Sequence, residues 1–150
     1  MDLINLSDGG NSVRLHILGR HRPGILPEHD LMDAYIVVDS DFIKGQFRVH
    51  FFLSSLDLWA AALKSLEGGR AAEWLDMGNG SAIRIECPKS ENDDLVVCVE
   101  DASSSGATVI VPIAVERNWL QDHRDRLGAA LEAWPAEVIE NSPGSYEWKR

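Results

Sequence analysis

Two stretches early in the chain alternate cleanly between apolar and polar residues. Over Ser12–Leu18, Val13, Leu15 and Ile17 form one face, with Arg14 and His16 on the other. Over Gly45–Leu53, Phe47, Val49, Phe51 and Leu53 oppose Gln46, Arg48 and His50. A period of two marks a half-buried strand, because successive strand side chains point to opposite faces. Leu3–Leu6 and the β-branched run Ala34–Asp39 add two further strands. The turns are Ser7–Asn11 and Ser40–Asp41, and Gly19–Asp33, which holds Pro23, Gly24 and Pro27, is a longer connection.

The period then changes. Leu56, Trp59, Ala60 and Leu63 fall at helical spacing, with Leu66 one turn later. Ser54 followed by Asp57 predicts a capping box, and Gly68–Gly69 supplies a left-handed cap at the far end. A second run of strands follows at Ala72–Leu75, Ser81–Cys87, Leu95–Glu100 and Thr108–Val115. Their short polar connections (Met77–Gly80, Pro88–Asp94, Ala102–Gly106) favour antiparallel neighbours, since a parallel crossover needs a dozen or more residues. A second helix is predicted from Trp119 to Trp134, opened by Asn118 with Gln121 and closed by Pro135. Leu120, Leu127, Leu131 and Trp134 lie along one side of it. The pattern over 136–150 assigns only the turn Ser142–Pro143–Gly144.

Strands, helix, strands, helix is the order of an α+β domain. The expected architecture is a single antiparallel meander of about six to eight strands with two α-helices packed on one face. One domain spans 1–150, with 136–150 as a C-terminal tail packing on it or extending from it. The strand-group-then-helix plan occurs twice, a weak sign of duplication.

Composition narrows the function classes. Fourteen Lys+Arg against twenty-four Asp+Glu give a formal charge of −10, with 45% hydrophobic and 25% charged residues, an ordinary globular balance. The excess is uneven: residues 1–75 hold seven basic and ten acidic side chains, residues 76–150 seven and fourteen. An acidic surface disfavours nucleic acid, whose phosphates require basic contacts, and suits a basic partner instead. No apolar run is long enough to span a bilayer and no signal-peptide pattern opens the chain, so neither membrane nor export is expected. Cys87 and Cys98 fall on opposite faces of a predicted hairpin, which predicts two free thiols and a cytoplasmic setting.

The repeated Arg-x-His is the chief chemical signal. Arg14 with His16 and Arg48 with His50 each share a strand face, and Arg84 stands on the polar side of a third strand. Together they form a candidate cationic face for carboxylates or phosphates, although polar-outward alternation is also the default of a solvated sheet. The Gly19–Asp33 connection gathers Arg20, His21, Arg22, Glu28, His29, Asp30 and Asp33 without any spacing that fixes a metal geometry. No metal and no cofactor are assigned. Ser103–Gly106 is no nucleophile elbow, Asp76–Gly80 no calcium loop, and no phosphate-binding glycine pattern occurs. No catalytic residue is assigned either. Of five tryptophans, Trp59, Trp74 and Trp134 fit the core, whereas Trp119 and the tail pair Tyr146 and Trp148 are candidate interaction residues.

Leu15–Arg22 followed by Pro23–Gly24, then Ala34–Asp39, Leu56–Leu63, Trp74–Asp76 and the closing Ser142-Pro-Gly-Ser-Tyr-Glu-Trp148 resemble a family of short actinomycete proteins known as a domain of unknown function. The strand–helix–strand–helix plan is more loosely similar to immunity proteins of the WapI-associated type, which neutralise a toxin by binding it. These likenesses imply no catalytic residues. The leading expectation is a non-enzymatic, soluble protein-interaction domain, an immunity-like inhibitor or adaptor meeting a basic toxin or regulatory protein. The alternatives are a small acidic-ligand-binding domain or enzyme using the Arg/His face, and a homodimer formed through a sheet edge or the tail.

Overall fold

The computed structural model describes all of residues 1–150. Four strands, β1 (Asp2–Ser7), β2 (Asn11–Arg20), β3 (Leu31–Ser40) and β4 (Lys44–Phe52), form an antiparallel meander ahead of α1 (Ser55–Glu67). A second meander of β5 (Ala72–Asp76), β6 (Ser81–Glu86), β7 (Leu95–Glu100) and β8 (Thr108–Ile113) leads into α2 (Trp119–Ala133). The chain closes on a hairpin of β9 (Val138–Ser142) and β10 (Ser145–Trp148).

The α+β class and the antiparallel pairing match expectation; the single sheet does not. The strands divide into two four-stranded sheets and a two-stranded hairpin. The break falls at α1, which touches β4 but packs mainly on β5, while α2 packs on β1 and against α1. Each half is therefore a meander plus a helix, and each helix packs on the first strand of the other half. Alternation reveals a strand's buried face but not which strand pairs with which, so a helix between two strand groups leaves their pairing open. The sheets meet where Asn11 Nδ2 donates to the Pro112 carbonyl and the Ala114 N–H donates to Asp8. Both sheets and both helices contribute to one buried cluster, with Leu15, Ile36, Trp59, Leu63, Ile85 and Val97 among its members.

Three local differences matter. Ser54 is already in helical backbone conformation and makes no side-chain cap bond, because an N-cap needs an extended backbone to aim its oxygen at the first turn. Within 136–150, where the pattern assigns only a turn, Val138–Ser142 and Ser145–Trp148 pair as strands, with Gly144 at φ 81° turning the hairpin. The third is a bulge at Leu18. Ile17 pairs with Ala34, but Gly19 pairs with Asp33, so β2 runs past its expected end at Leu18 with one residue inserted. That insertion reverses which side the following residues face. Arg20 pairs with Met32 and turns toward the core side, while Gly19 joins Asp33 and His50 in a row on the outer face.

Candidate functional site

Directly paired residues in antiparallel strands share a face, so the outer side of the first sheet can be read row by row. His16, Tyr35 and Arg48 form one row across β2, β3 and β4; Gly19, Asp33 and His50 form the next. His21, one residue past the end of β2, folds back over this second row. Its Nδ1 donates to Asp33 at 3.0 Å from Oδ1 and 3.1 Å from Oδ2. Arg48 donates to Asp33 Oδ2 at 2.8 Å, and His50 Nε2 stands 2.6 Å from Oδ1. The two imidazoles meet edge to face, with ring centroids 4.8 Å apart.

Asp33 is the hub of this group. Its side chain is 12% exposed, against 31% for His21, 41% for His50 and 50% for Arg48. Burial works against the ionised carboxyl, yet the hydrogen bonds from His21 and Arg48 outweigh it and hold Asp33 below the usual carboxylate range. An anion thus lies at the base of a shallow ring of basic side chains that reach in from solvent. One ring nitrogen each of His21 and His50 and an Asp33 oxygen all lie within 4.8 Å of one another, the one place where three metal-capable side chains converge.

The other candidate residues divide. Arg14 and His16 share this outer face but lie against Asp2, at 3.8 Å and 2.6 Å. Arg84 is on the second sheet, held between Glu73 and Glu86, so the five residues do not form one face. Every basic side chain of the set has a carboxylate beside it. Cys87 and Cys98 are free, and burial pushes both thiols up, which makes them poor nucleophiles at neutral pH.

Inward of the bulge lies a second cluster. Arg20 pairs with Asp30, and both side chains are nearly buried. The other Asp30 oxygen accepts the backbone N–H groups of Glu137 and Val138, each at 2.9 Å. Arg20 also donates to the Pro135 carbonyl at 2.7 Å. His29 accepts the Gly24 N–H on Nδ1, donates to Glu137 from Nε2, and carries the Trp148 ring edge to face at 4.8 Å. This network fastens the C-terminal hairpin to the β2–β3 connection.

Beside that fastening runs a groove of about 460 Å³ between the end of β4, the first turn of α1, the last turn of α2 and the hairpin. Phe52, Leu131 and Tyr146 line it at 48%, 45% and 38% exposure. Asp57 and Glu140 are also at its walls, and no basic residue is. Tyr146 and Trp148 share one face of β10, Tyr146 on the groove and Trp148 on His29. Trp119 is elsewhere, half-buried beside His123 in a separate polar cleft of about 360 Å³.

A family model described as a family of unknown function (DUF5959) matches residues 1–135. The chain belongs to that family. The match stops short of the hairpin, so the segment that carries Tyr146 and Trp148 lies outside the matched residues. Both His21–Asp33–His50 and the Arg20–Asp30 pair lie inside them. No curated protein and no solved structure matches the chain. No helix is long and apolar enough to cross a membrane.

Sequence reasoning placed Arg48 and His50 on one face but missed Asp33, the residue that organises them, and His21, which joins them. The missing information was register. A pairing that sets Asp33 opposite His50 depends on the length of the β3–β4 turn, and the bulge at Leu18 has no distinctive residue signal beyond Gly19 after it.

Proposed function

We propose that this chain is a non-enzymatic protein-interaction domain whose partner is a basic protein, received in the groove between the C-terminal hairpin and the two helices. The observation that carries the reading is the groove's make-up: half-exposed Phe52, Leu131 and Tyr146 beside Asp57 and Glu140, with no cation along it. Aromatic and aliphatic groups at the centre with like charges at the rim form the pattern of a binding hot spot that also selects its partner by sign. A net charge of −10 adds long-range attraction for a basic protein and works against nucleic acid. The same charge on two copies opposes self-association through this groove. A basic toxin domain fits the chemistry, and the chain would then act as an immunity-type inhibitor, as the looser likeness to WapI-type proteins implies. The resemblance to actinomycete proteins implies the host, and two free thiols suit its cytoplasm. A basic regulatory protein fits equally, with the chain as adaptor.

The alternative of an acidic small ligand on the Arg/His face is less favoured, because Asp2 and Asp33 already occupy the cations there. Chemical cross-linking in native lysate, followed by mass spectrometry, tests the proposal. The expected product joins a basic protein to groove residues, weakens as salt rises, and is lost in both Phe52→Ala and the double charge reversal Asp57→Lys with Glu140→Lys. Cross-links only to a second copy, only to acidic proteins, or unaltered by these substitutions would overturn it.

A further inference from the structure

We propose that His21 Nδ1, His50 Nε2 and an Asp33 carboxylate oxygen form a binding site for one transition-metal dication of the zinc class on the outer face of the first sheet. Zinc bonds imidazole nitrogen and carboxylate oxygen at about 2.0–2.2 Å, so neighbouring ligand atoms in a tetrahedral site stand about 3.3 Å apart. Here the His21 and His50 nitrogens stand 3.0 Å and 2.6 Å from Asp33 Oδ1, and all three donors fall within 4.8 Å of one another. Both distances from Oδ1 are shorter than that tetrahedral spacing, so an ion between the donors requires the two rings to rotate outward. Both histidines are partly exposed, which leaves solvent-side room for that rotation.

The donor set selects the class of ion. Two imidazoles and one carboxylate suit zinc, iron, nickel or copper, whereas calcium and magnesium prefer all-oxygen shells. Three protein ligands on an open face leave the fourth position to solvent, the form of an accessible rather than a closed structural site. Arg48 sets the balance. Its guanidinium holds Asp33 Oδ2 at 2.8 Å and leaves Oδ1 toward the histidines, which fixes the carboxylate's orientation. Its positive charge also opposes a dication, so the site binds less tightly than the same triad without an arginine. This inference uses none of the groove residues and stands or falls apart from the partner reading.

Equilibrium dialysis of the intact chain against Zn²⁺, with metal measured by mass spectrometry, is the test. One equivalent is expected to bind saturably. His21→Ala and His50→Ala should each weaken binding by at least about tenfold, since a lost ligand costs more than a lost outer-shell partner. Arg48→Gln, which keeps an N–H donor for Asp33 Oδ2 but removes the positive charge that opposes the dication, should tighten it severalfold, a result that damage to the fold cannot mimic. His16→Ala, at the two-donor contact with Asp2, should change nothing. Absence of a saturable equivalent in molar excess of Zn²⁺, or binding that survives both alanine variants, would overturn the proposal.

Discussion

Asp30 and Asp33 are three residues apart, and their side chains are almost equally buried, at 10% and 12% exposure. Each lies beside an arginine and within a group that includes histidine. They differ in what holds them. Asp30 accepts two backbone N–H groups of the tail and pairs with Arg20, itself only 11% exposed. Asp33 is held by side chains alone, and all three reach in from solvent. Backbone donors and a buried guanidinium cannot swing away, whereas exposed imidazoles and arginines can. A carboxylate with fixed donors is a fastening; one with removable donors is a place where something else can bind. The one-residue bulge at Leu18 lets β2 serve both, since it turns Arg20 inward to meet Asp30 and leaves Gly19 opposite Asp33 on the outer face.

Replacing each aspartate by asparagine gives the largest expected contrast. In Asp30→Asn the new amide could accept on one side only, so its NH₂ would face either Arg20 or the two tail N–H groups, and Arg20 would lose its counter-charge. Removing one partner of a buried pair costs about 3–5 kcal/mol, so Asp30→Asn should lower unfolding stability by about that much. Hydrogen exchange should show Val138–Trp148 losing protection first. In Asp33→Asn the released histidines and arginine turn to water, and the loss should be about 1 kcal/mol, near the net value of an ordinary hydrogen bond. Equal losses measured by denaturant titration would dissolve the distinction between the two sites.

How much of this was legible beforehand follows from which interactions are local. Val13, Leu15 and Ile17 announce their strand because alternation is written residue by residue, and Trp59 and Leu63 announce α1 in the same way. Cross-strand neighbours are not local. Asp33 looks like one of several charges in a connection, and only pairing with His50 on one side and Gly19 on the other makes it a hub. The fastening is more remote still, since Asp30 meets Glu137 and Val138 across more than a hundred residues. The division into two sheets was hidden for the same reason: nothing in the periodicity of Gly45–Leu53 or Ala72–Leu75 says whether those strands pair.

His123 extends the contrast to a histidine with fixed partners. It is 1% exposed, donates from Nδ1 to the Trp119 carbonyl at 2.6 Å, and accepts the Asn5 N–H on Nε2 at 3.1 Å. An imidazole that must accept a backbone N–H is neutral. Burial is the main cause that pushes its affinity for protons below the ordinary value of 6.5, against the opposing bond to Trp119. The unfolded chain then binds the extra proton more readily, so stability is complete above 6.5 and falls as pH drops from there toward the lower folded value. Unfolding measured between pH 7.5 and pH 5.5, roughly the range over which histidines titrate, should show that slope. His123→Gln should be less stable at every pH but lack this component. An unchanged slope in the variant would mean that His123 is not the group responsible.

The smallest effect belongs to Arg84, which inverts the arrangement at Asp33. There a carboxylate is ringed by basic groups; here a guanidinium lies between Glu73, at 2.7 Å, and Glu86, at 3.1 Å. The hydrogen bonds it donates to these two carboxylates raise its affinity for protons, Glu73 foremost, but arginine is charged at any working pH, so the shift has no consequence for stability. All three side chains are about half exposed, and such pairs lose in side-chain freedom and water contact nearly what they gain in attraction. Arg84→Gln should therefore leave the thermal midpoint unchanged within error. It should also leave zinc uptake unchanged, since its neighbours supply only carboxylates on a separate sheet. A clear drop in stability would show that ion pairs on the second sheet are held as firmly as Asp30, and that fixed donors are not what separates a fastening from a site.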